Sequence, residues 1–498
     1  MEKDGKYILA IDQSTSATKA ILFDKCGRLK QRTTIPHRQF YPHAGFVEHD
    51  PVEIFNNTCE AMRQVMTEQK VTEDELAGIA ITNQRETALI WDKNTGLPVA
   101  NAAVWQCQRG AQLCLELKTK GYEDLIRSKT GLLIDPYFSA SKLSWIMQNT
   151  PGLKEQAKKG ELLLGTMDSW LLWKLTGGKV HATDYSNACR TMLFNIHTLD
   201  WDNELIELFG LYRNMFPEVR FSDEVAGHTE PGILFHTQKP IAGLIGDSHG
   251  ALFGQTCFKT GMAKATYGTG SSIMMNIGTK ALDAPQGLVT SIGYSCGKQI
   301  HYVFEGNIHC TGDTLNWLKN EVGLISHASE TESLANSVPD NNNVYFVPAF
   351  VGLGAPYWDN QARACLSGMG RNTTKAHIVR AALESIAFQV NDLISLMEEK
   401  GGIQLQELRV DGGPTRNKFL MQFQSDLLQQ EVSPSEIEEA SALGSAYMAG
   451  LAFGFWGNPD ELEQLRVAGK TYQPKQNKDE IAGLVTGWQK AVERARLH

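Results

Sequence analysis

About 18 consecutive apolar residues are needed to span a bilayer as a helix, and no stretch of this chain reaches that length. There is no apolar signal region either, because Met1-Glu-Lys-Asp-Gly-Lys6 runs directly into a strand pattern. Cysteine is sparse: nine residues at 26, 59, 107, 114, 189, 257, 296, 310 and 365, an odd number with no C-x-x-C pair. That spacing argues against structural zinc and a disulfide framework, so a reducing, cytoplasmic setting is expected. Basic residues are outnumbered, 47 Lys and Arg against 56 Asp and Glu, for a net charge of −9. Such a balance argues against binding a nucleic-acid backbone. The segment 25–32, its basic residues broken up by Cys, Gly, Leu and Gln, reads as a solvated turn. A G-x-x-x-x-G-K-[ST] loop and a G-x-G-x-x-G after the first strand are both missing, which disfavours P-loop and Rossmann nucleotide sites.

What is present is an ordinary globular composition, 42% apolar and 21% charged, over 498 residues. Single cores stop growing near about 250–300 residues, so length alone suggests two large domains, or three to four ordinary ones. The division is placed near residue 255, giving 1–254 and 255–498. Strand patterns at 7–12, 18–24, 76–82 and 88–92 alternate with helical ones at 51–69, 142–148, 169–175 and 203–208, which predicts an α/β fold. Asp50-Pro51 reads as a cap and first-turn proline for the first of those helices. The second half opens in the same way, at 263–270 and 272–276. It continues through helical stretches near 314–321 and 375–399, a strand into glycines at 407–413, and a buried helix at 442–453. Each half thus begins with a strand, a Thr/Gly-rich turn and a returning strand, and the halves are expected to pack across a cleft.

Three turns suggest chemistry. Asp12-Gln13-Ser14-Thr15-Ser16 sets a carboxylate at a strand end before small hydroxyl residues. Backbone N–H groups and hydroxyls there can face phosphate oxygens while the carboxylate holds a hydrated Mg²⁺. Tyr267-Gly268-Thr269-Gly270 and Asp411-Gly412-Gly413 repeat the strand-to-glycine pattern, and glycine lets backbone approach a ligand closely. Any one alone is an ordinary turn; three together predict a nucleotide held between two related domains. Asn83-Gln84-Arg85-Glu86-Thr87 follows an apolar strand, where open α/β sheets place ligand contacts, although an isolated Arg-Glu pair is by default solvated. Trp105 and Tyr137 follow similar apolar runs and read as strand-end aromatics, which more often pack a core than form a sugar platform. In Gly246-Asp247-Ser248-His249-Gly250, a carboxylate near a phosphoryl donor can accept the proton of an attacking hydroxyl. His249 receives no role.

The segments Asp12-Gln13-x-Thr15, 81–87, Val104-Trp105-Gln106-Cys107, 131–139, 190–197, 352–359 and Val410-Asp-Gly-Gly413 together resemble the glycerol kinases, within the FGGY carbohydrate kinases. The resemblance runs in order from about residue 7 to about residue 460. It implies two domains of the actin/Hsp70-like (ribonuclease H-like) ATPase fold, ATP with Mg²⁺, and transfer of the γ-phosphoryl group to a terminal hydroxyl of a small polyol or sugar. By position it implies Asp247 as catalytic base, Arg85, Glu86 and Tyr137 as substrate-holding residues, and Trp105 as the wall behind the carbon chain. Thr15, Ser16, Ala17 and Lys19 match the β/γ-phosphate turn, and Thr269 a second phosphate contact. Gly312, Asn316, Gly413 and Asn417 match nucleotide-binding positions, and Asp12 the Mg²⁺-associated acid. Assembly as a homodimer or homotetramer is left open.

Several positions depart from that pattern. Ser14 replaces a glycine, Lys19 an arginine and Asn316 a glutamine. Ser248 stands where the family carries a glutamine and Ser272 where it carries a phenylalanine, both in the substrate pocket. Losing the ring and the long amide gives a wider, more polar pocket, expected to penalise glycerol and to prefer a four- or five-carbon polyol or keto-sugar. The basic, Gly-rich regulatory loop of some relatives is replaced by 230–236. An actin- or chaperone-like ATPase would share the turns without needing the acceptor residues. A catalytically dead sensor would be expected to lose Asp12 or Asp247, and both are present.

Overall fold

The computed structural model describes residues 5–436, 439–466 and 469–497, and two six-stranded sheets lie at its centre. The first contains β1 (Tyr7–Gln13), β2 (Ala17–Asp24), β3 (Leu29–Pro36), β4 (Leu76–Asn83), β5 (Gly227–His228) and β6 (Pro240–Gly246), in the order β5-β6-β4-β1-β2-β3. β1, β2 and β3 form an antiparallel meander, and β4 and β6 continue the sheet in parallel with β1. The second contains β7 (Met262–Tyr267), β8 (Ser271–Gly278), β9 (Val289–Cys296), β10 (Gln299–Ile308), β11 (Glu407–Asp411) and β12 (Val432–Pro434), in the order β9-β10-β8-β7-β11-β12. Again the three strands β7, β8 and β10 are antiparallel, and β11 and β12 are added in parallel. One plan is used twice.

The sequence dictates these sheets through burial. Ile8, Leu9, Ala10 and Ile11 are all fully buried, so β1 is apolar on both faces, as parallel-sheet strands covered on both sides must be. β3 is different. Leu29, Lys30, Arg32 and Thr34 are exposed, and the strand is the sheet edge. The expected solvated turn at 25–32 is therefore corrected. The turn is confined to its first residues, and from Leu29 the chain is an edge strand whose charges discourage pairing with another chain.

Helices cover the sheets. α1 (Pro51–Gln69) begins at the expected cap, with Asp50 accepting from the N–H groups of Val52 and Glu53. The others used below are α2 (Ser139–Asn149), α3 (Asp247–Gly254), α4 (Gly312–Asn320), α5 (Lys375–Gly401), α6 (Lys418–Leu428) and α7 (Ala440–Phe453). Although α7 follows the second sheet in the chain, it packs on the first, where Ser445 Oγ donates to the Gly243 carbonyl at 2.8 Å. It also crosses α3 at bare backbone, since a Cβ on Gly444 would lie 1.8 Å from the Gly250 carbonyl oxygen. Residues after 255 thus complete the packing of the first half and hold the helix that starts with Asp247. Among the described residues no helix is long and apolar enough to cross a membrane.

The ends of the strands then fall together. Gln13 is in register with Asn83, and Asn83 with Gly246, so β1, β4 and β6 all end at one edge. Thr266 is in register with Asp411 at the corresponding edge of the second sheet. Every turn singled out in the sequence follows one of these ends.

Candidate active site

Arg85 and Glu86 leave the end of β4, and Glu86 adopts a left-handed conformation (φ 60°) unusual for a side chain of that size. The bend sends both side chains inward, leaving Arg85 4% and Glu86 1% exposed. Arg85 Nε lies 3.3 Å from Asp247 Oδ1, and its Nη1 lies 3.0 Å from Glu305 Oε1 on β10. Both are ion pairs, and neither is well aligned as a hydrogen bond. Arg190 closes the cluster. Its Nε donates to Glu86 Oε1 at 2.6 Å, and its Nη1 donates to Glu305 Oε2 at 2.7 Å and to Ser291 Oγ at 2.9 Å. Burial alone would raise the Glu305 carboxyl, but Arg190 and Arg85 outweigh it and hold it below the ordinary range. Two arginines and two glutamates thus compensate one another in a dry site spanning both halves.

Asp247 opens α3, and its side chain is 37% exposed, the most accessible carboxylate of the group. Ser248 and Ser272 are half-buried beside it in the chain and on β8. Trp105 and Tyr137 meet edge to face with ring centroids 5.6 Å apart. Trp105 follows the short strand Ala102–Ala103. Tyr137 is not at a strand end, which corrects that expectation. It sits two residues before α2, in a turn where Asp135 Oδ1 accepts its N–H at 2.8 Å. Fully buried Lys142 holds the turn from beneath by donating to the carbonyls of Pro136 and Tyr137, and burial pulls its ammonium down to about 8.

The first phosphate-type turn is tight: Ser14 N–H and Oγ both donate to the Ala17 carbonyl, at 3.0 and 2.8 Å. Ala17 is buried and Ser16 exposed. Lys19 Nζ lies 3.3 Å from Asp12 Oδ2 and 2.7 Å from Glu439 Oε2, just before α7. Burial pushes the Asp12 carboxyl up to about 6; Lys19 opposes the shift, and Glu439 and Asp247 add to it. In the second half, Gly312 N–H donates to the Gly268 carbonyl at 2.9 Å and Asp313 N–H to the Thr269 carbonyl at 3.1 Å. These bonds bring the Thr269 turn to the start of α4. A Cβ on Gly312 would lie 3.8 Å from Pro414 Cγ, so Gly413 joins the same group. Gly413 itself needs no special backbone, and a Cβ there would meet nothing within 4 Å. Asn316 is exposed one turn along α4. Asn417 is spent differently: its Oδ1 caps α6 by accepting from Leu420 N–H at 3.0 Å, and its Nδ2 donates to Thr331 Oγ1 at 3.0 Å.

The sequence reading gave no role to three residues that the structure puts at the centre: Arg190, Glu305 and Lys264. Lys264 is fully buried on β7, with Nζ 3.1 Å from Thr266 Oγ1 and 3.5 Å from Ser272 Oγ. A lone acid or lysine inside an apolar strand (Tyr302-Val-Phe-Glu305; Met262-Ala-Lys264-Ala) was the available signal, because such residues are almost never fully buried unpaired. His249 is also fully buried, with neither ring nitrogen hydrogen-bonded, and burial and the nearby Arg85 hold it neutral.

A cluster of buried charges at the strand ends of both sheets, with glycine turns at neighbouring strand ends, is an arrangement that suits group transfer between two bound substrates. The chain matches the FGGY family of carbohydrate kinases, its N-terminal domain over residues 7–254 and its C-terminal domain over 263–453, and it belongs to that family. It is a phosphotransferase, and kinases of this family use ATP, usually with Mg²⁺. It is 50% identical over 490 residues to glycerol kinase 2 of Thermotoga maritima, covering 98% of this chain and 99% of that one. It is 51% identical over 488 residues to glycerol kinase 1 of the same organism, with 98% and 99% covered. Among solved structures, the glycerol kinase of Plasmodium falciparum with ADP superposes with a TM-score of 0.94 at 37% identity, over 99% of this chain and 98% of that one. The gluconate kinase of Lactobacillus acidophilus (TM-score 0.86, 22% identity, 98% and 96% covered) shares the fold.

Proposed function

We propose that the protein transfers the γ-phosphoryl group of ATP to a terminal hydroxyl of glycerol, giving glycerol 3-phosphate and ADP in the cytoplasm. The observation that carries this reading is Arg85, only 4% exposed and ion-paired with Glu305 and Asp247 through Nη1 and Nε, neither of them aligned in a hydrogen bond. Those donors and the Glu86 carboxylate grip two hydroxyls of the acceptor, with Trp105 and Tyr137 against its carbon chain. Asp247 takes the proton of the terminal hydroxyl, whose oxygen attacks the γ-phosphorus in line as the bond to the bridging oxygen breaks.

Thr15, Ser16, Ala17, Lys19 and Thr269 face the phosphates, and Gly312, Asn316 and Gly413 line the nucleotide, with Asn417 capping the helix that follows Gly413. The open space beside Gly413 fits close approach of such a ligand. Asp12 is the acid for Mg²⁺, which keeps several waters and binds through one or two carboxylates together with phosphates. Its carboxyl, held up near 6 by burial, is a group that a cation would favour in ionised form. Mg²⁺ bound there supplies neutralisation of charge on the phosphoryl oxygens.

A second reading keeps the reaction and lengthens the acceptor. Ser248 next to Asp247 in the chain, and Ser272 reached by the buried Lys264 ammonium, would offer polar groups to an extra oxygen on a four- or five-carbon polyol or ketose. ATP-dependent ADP release across glycerol, dihydroxyacetone, erythritol, threitol, the pentitols and the ketopentoses tests both. Glycerol with the highest kcat/KM supports the first, and a longer acceptor ahead by tenfold or more replaces it. No turnover of any acceptor would sink both.

A further inference from the structure

Between the phosphate turn and the acceptor loop runs a closed ring of hydrogen bonds. The Trp105 indole N–H donates to Thr15 Oγ1 at 3.0 Å, in the turn between β1 and β2. The backbone N–H of the same tryptophan donates to Thr87 Oγ1 at 3.1 Å. Thr87 Oγ1 donates in turn to Gln84 Oε1 at 2.9 Å. Gln84 Nε2 returns to the phosphate turn, with Ser14 O at 3.3 Å and Gln13 Oε1 at 3.1 Å. A backbone bond from Gln84 N–H to Gln13 O at 2.7 Å runs alongside. Thr87 is fully buried and Gln84 is 1% exposed, so the bonds from Thr87 to Gln84 and from Gln84 to Gln13 are shielded from water and polarise one another, while those reaching Thr15, Ser14 and Trp105 are part-buried.

The ring has two outlets. Through Thr15 and Ser14 it reaches the turn between Asp12 and Lys19. Through residues 84–87 it reaches Arg85 and Glu86, which lie within it in sequence, and through the Trp105 ring it reaches the edge-to-face contact with Tyr137. The threonine hydroxyl donates once and accepts once, and the glutamine amide both accepts and donates, so the pattern leaves little freedom for either group to turn. A displacement of the indole that broke its bond would leave Thr15 Oγ1 without that donor. A displacement of the phosphate turn would pull on Gln84.

We propose that Thr87, Gln84 and the Trp105 N–H are positioning groups that couple the two substrates. An acceptor packed on Trp105 fixes the indole, the indole fixes Thr15, and ATP then meets a turn already in place. Nucleotide bound first favours the acceptor by the same factor, since coupling between two binding sites is reciprocal. Thr87 and Gln84 are buried behind the reacting groups and act only through others. This inference rests on the kinase reading above for the identity of its ligands.

The experiment measures binding of a non-hydrolysable ATP analogue with Mg²⁺ by calorimetry, with and without saturating glycerol, so it needs no turnover. In the wild type glycerol should tighten the analogue by about fivefold or more. Thr87→Val keeps the shape but removes both hydrogen bonds, and should bring that factor to about one with the thermal midpoint shifted only slightly. Thr87→Ser, which restores the hydroxyl, should restore the coupling. Trp105→Phe, which keeps an aromatic wall without its N–H, should lose the coupling while glycerol still binds, and it stands in if Thr87→Val does not fold. An analogue affinity independent of glycerol in the wild type, or coupling that survives in folded Thr87→Val or Trp105→Phe, overturns the proposal. Analogue binding without any phosphorylation of an acceptor would instead overturn the kinase reading and leave the coupling measurement intact.

Discussion

The charged cluster around Arg85 and the glycine turns around Thr269, proposed above as the acceptor side and the nucleotide side, are built from different materials. Arg85, Glu86, Arg190 and Glu305 are all at least 95% buried, and side-chain charge fixes their geometry. Thr269, Gly312 and Gly413 are half-buried or exposed, and backbone hydrogen bonds tie the first two together. A small polyol offers only a few hydroxyls, so the protein must bring its polar groups to it already desolvated and oriented. A nucleotide brings its own charge and bulk, and open turns with accessible N–H groups are enough to receive it. Substitutions on the first side should therefore strike chemistry and folding together, whereas on the second an open position such as Gly413 should strike affinity alone.

The largest effect tests the chemistry of the first side. Asp247→Asn should lower phosphoryl transfer by roughly 10²–10⁴-fold, the usual worth of a positioned general base, with nucleotide binding little changed. ADP release together with calorimetric titration of the nucleotide checks both halves, and wild-type turnover would remove Asp247 from its role. Next in size is Glu305→Gln, which takes the shared counter-charge from two buried arginines. Breaking one partner out of a buried ion cluster costs about 3–5 kcal/mol. Denaturant unfolding should show that loss, and the acceptor KM should rise more than the ATP KM. Equal rises would mean that the cluster serves the fold and not the pocket.

How legible these two sides were follows from the same difference. The glycine turns were readable because glycines after strands are a local signal, as in Gly268-Thr269-Gly270 and Asp411-Gly412-Gly413. The alternation of strands and helices was readable for the same reason, and α1 begins at its expected cap. Glu305 and Arg190 were not, since their partners lie 115 residues apart in the chain. No pattern within a window reports a salt bridge formed by folding. Tyr137 was placed on the wrong kind of element because an apolar run before it, Leu132 to Ile134, belongs to a loop. The packing of α7 on the first sheet was equally invisible, being a matter of which surface remains uncovered.

A smaller effect concerns pH at the boundary between the sides, at Asp12. Its folded carboxyl titrates near 6 against an ordinary value of 3.8, so the folded chain holds a proton there that the unfolded chain has lost. This group's contribution to stability is therefore complete below about pH 4 and disappears as pH rises through about 6. Mg²⁺ binding has the opposite sign, because it requires the ionised carboxylate. Affinity for the metal–nucleotide complex should weaken below about pH 6, by up to tenfold per unit, and Asp12→Asn should flatten that slope. Titrations of MgADP between pH 5 and 7.5 decide it, and an unchanged slope in the variant would place the metal on another group.

The finest test lies within one turn. Gly412 sits at φ 98°, and a Cβ there would lie 2.0 Å from the Tyr267 carbonyl oxygen, whereas a Cβ on Gly413 would meet nothing within 4 Å. The first glycine is required by the fold, the second by nothing in the protein. Gly412→Ala should therefore destabilise the chain by about 1–3 kcal/mol or more, from strain and a backbone clash, whether or not nucleotide is present. Gly413→Ala should leave denaturant unfolding of the ligand-free chain within about 0.5 kcal/mol of wild type. If the empty space beside it is where a nucleotide lies, the added methyl should raise the ATP KM several-fold without altering the acceptor KM. A Gly413→Ala enzyme with unaltered ATP kinetics would move the nucleotide off this turn and leave the buried acceptor side as the only part of the comparison with a functional reading.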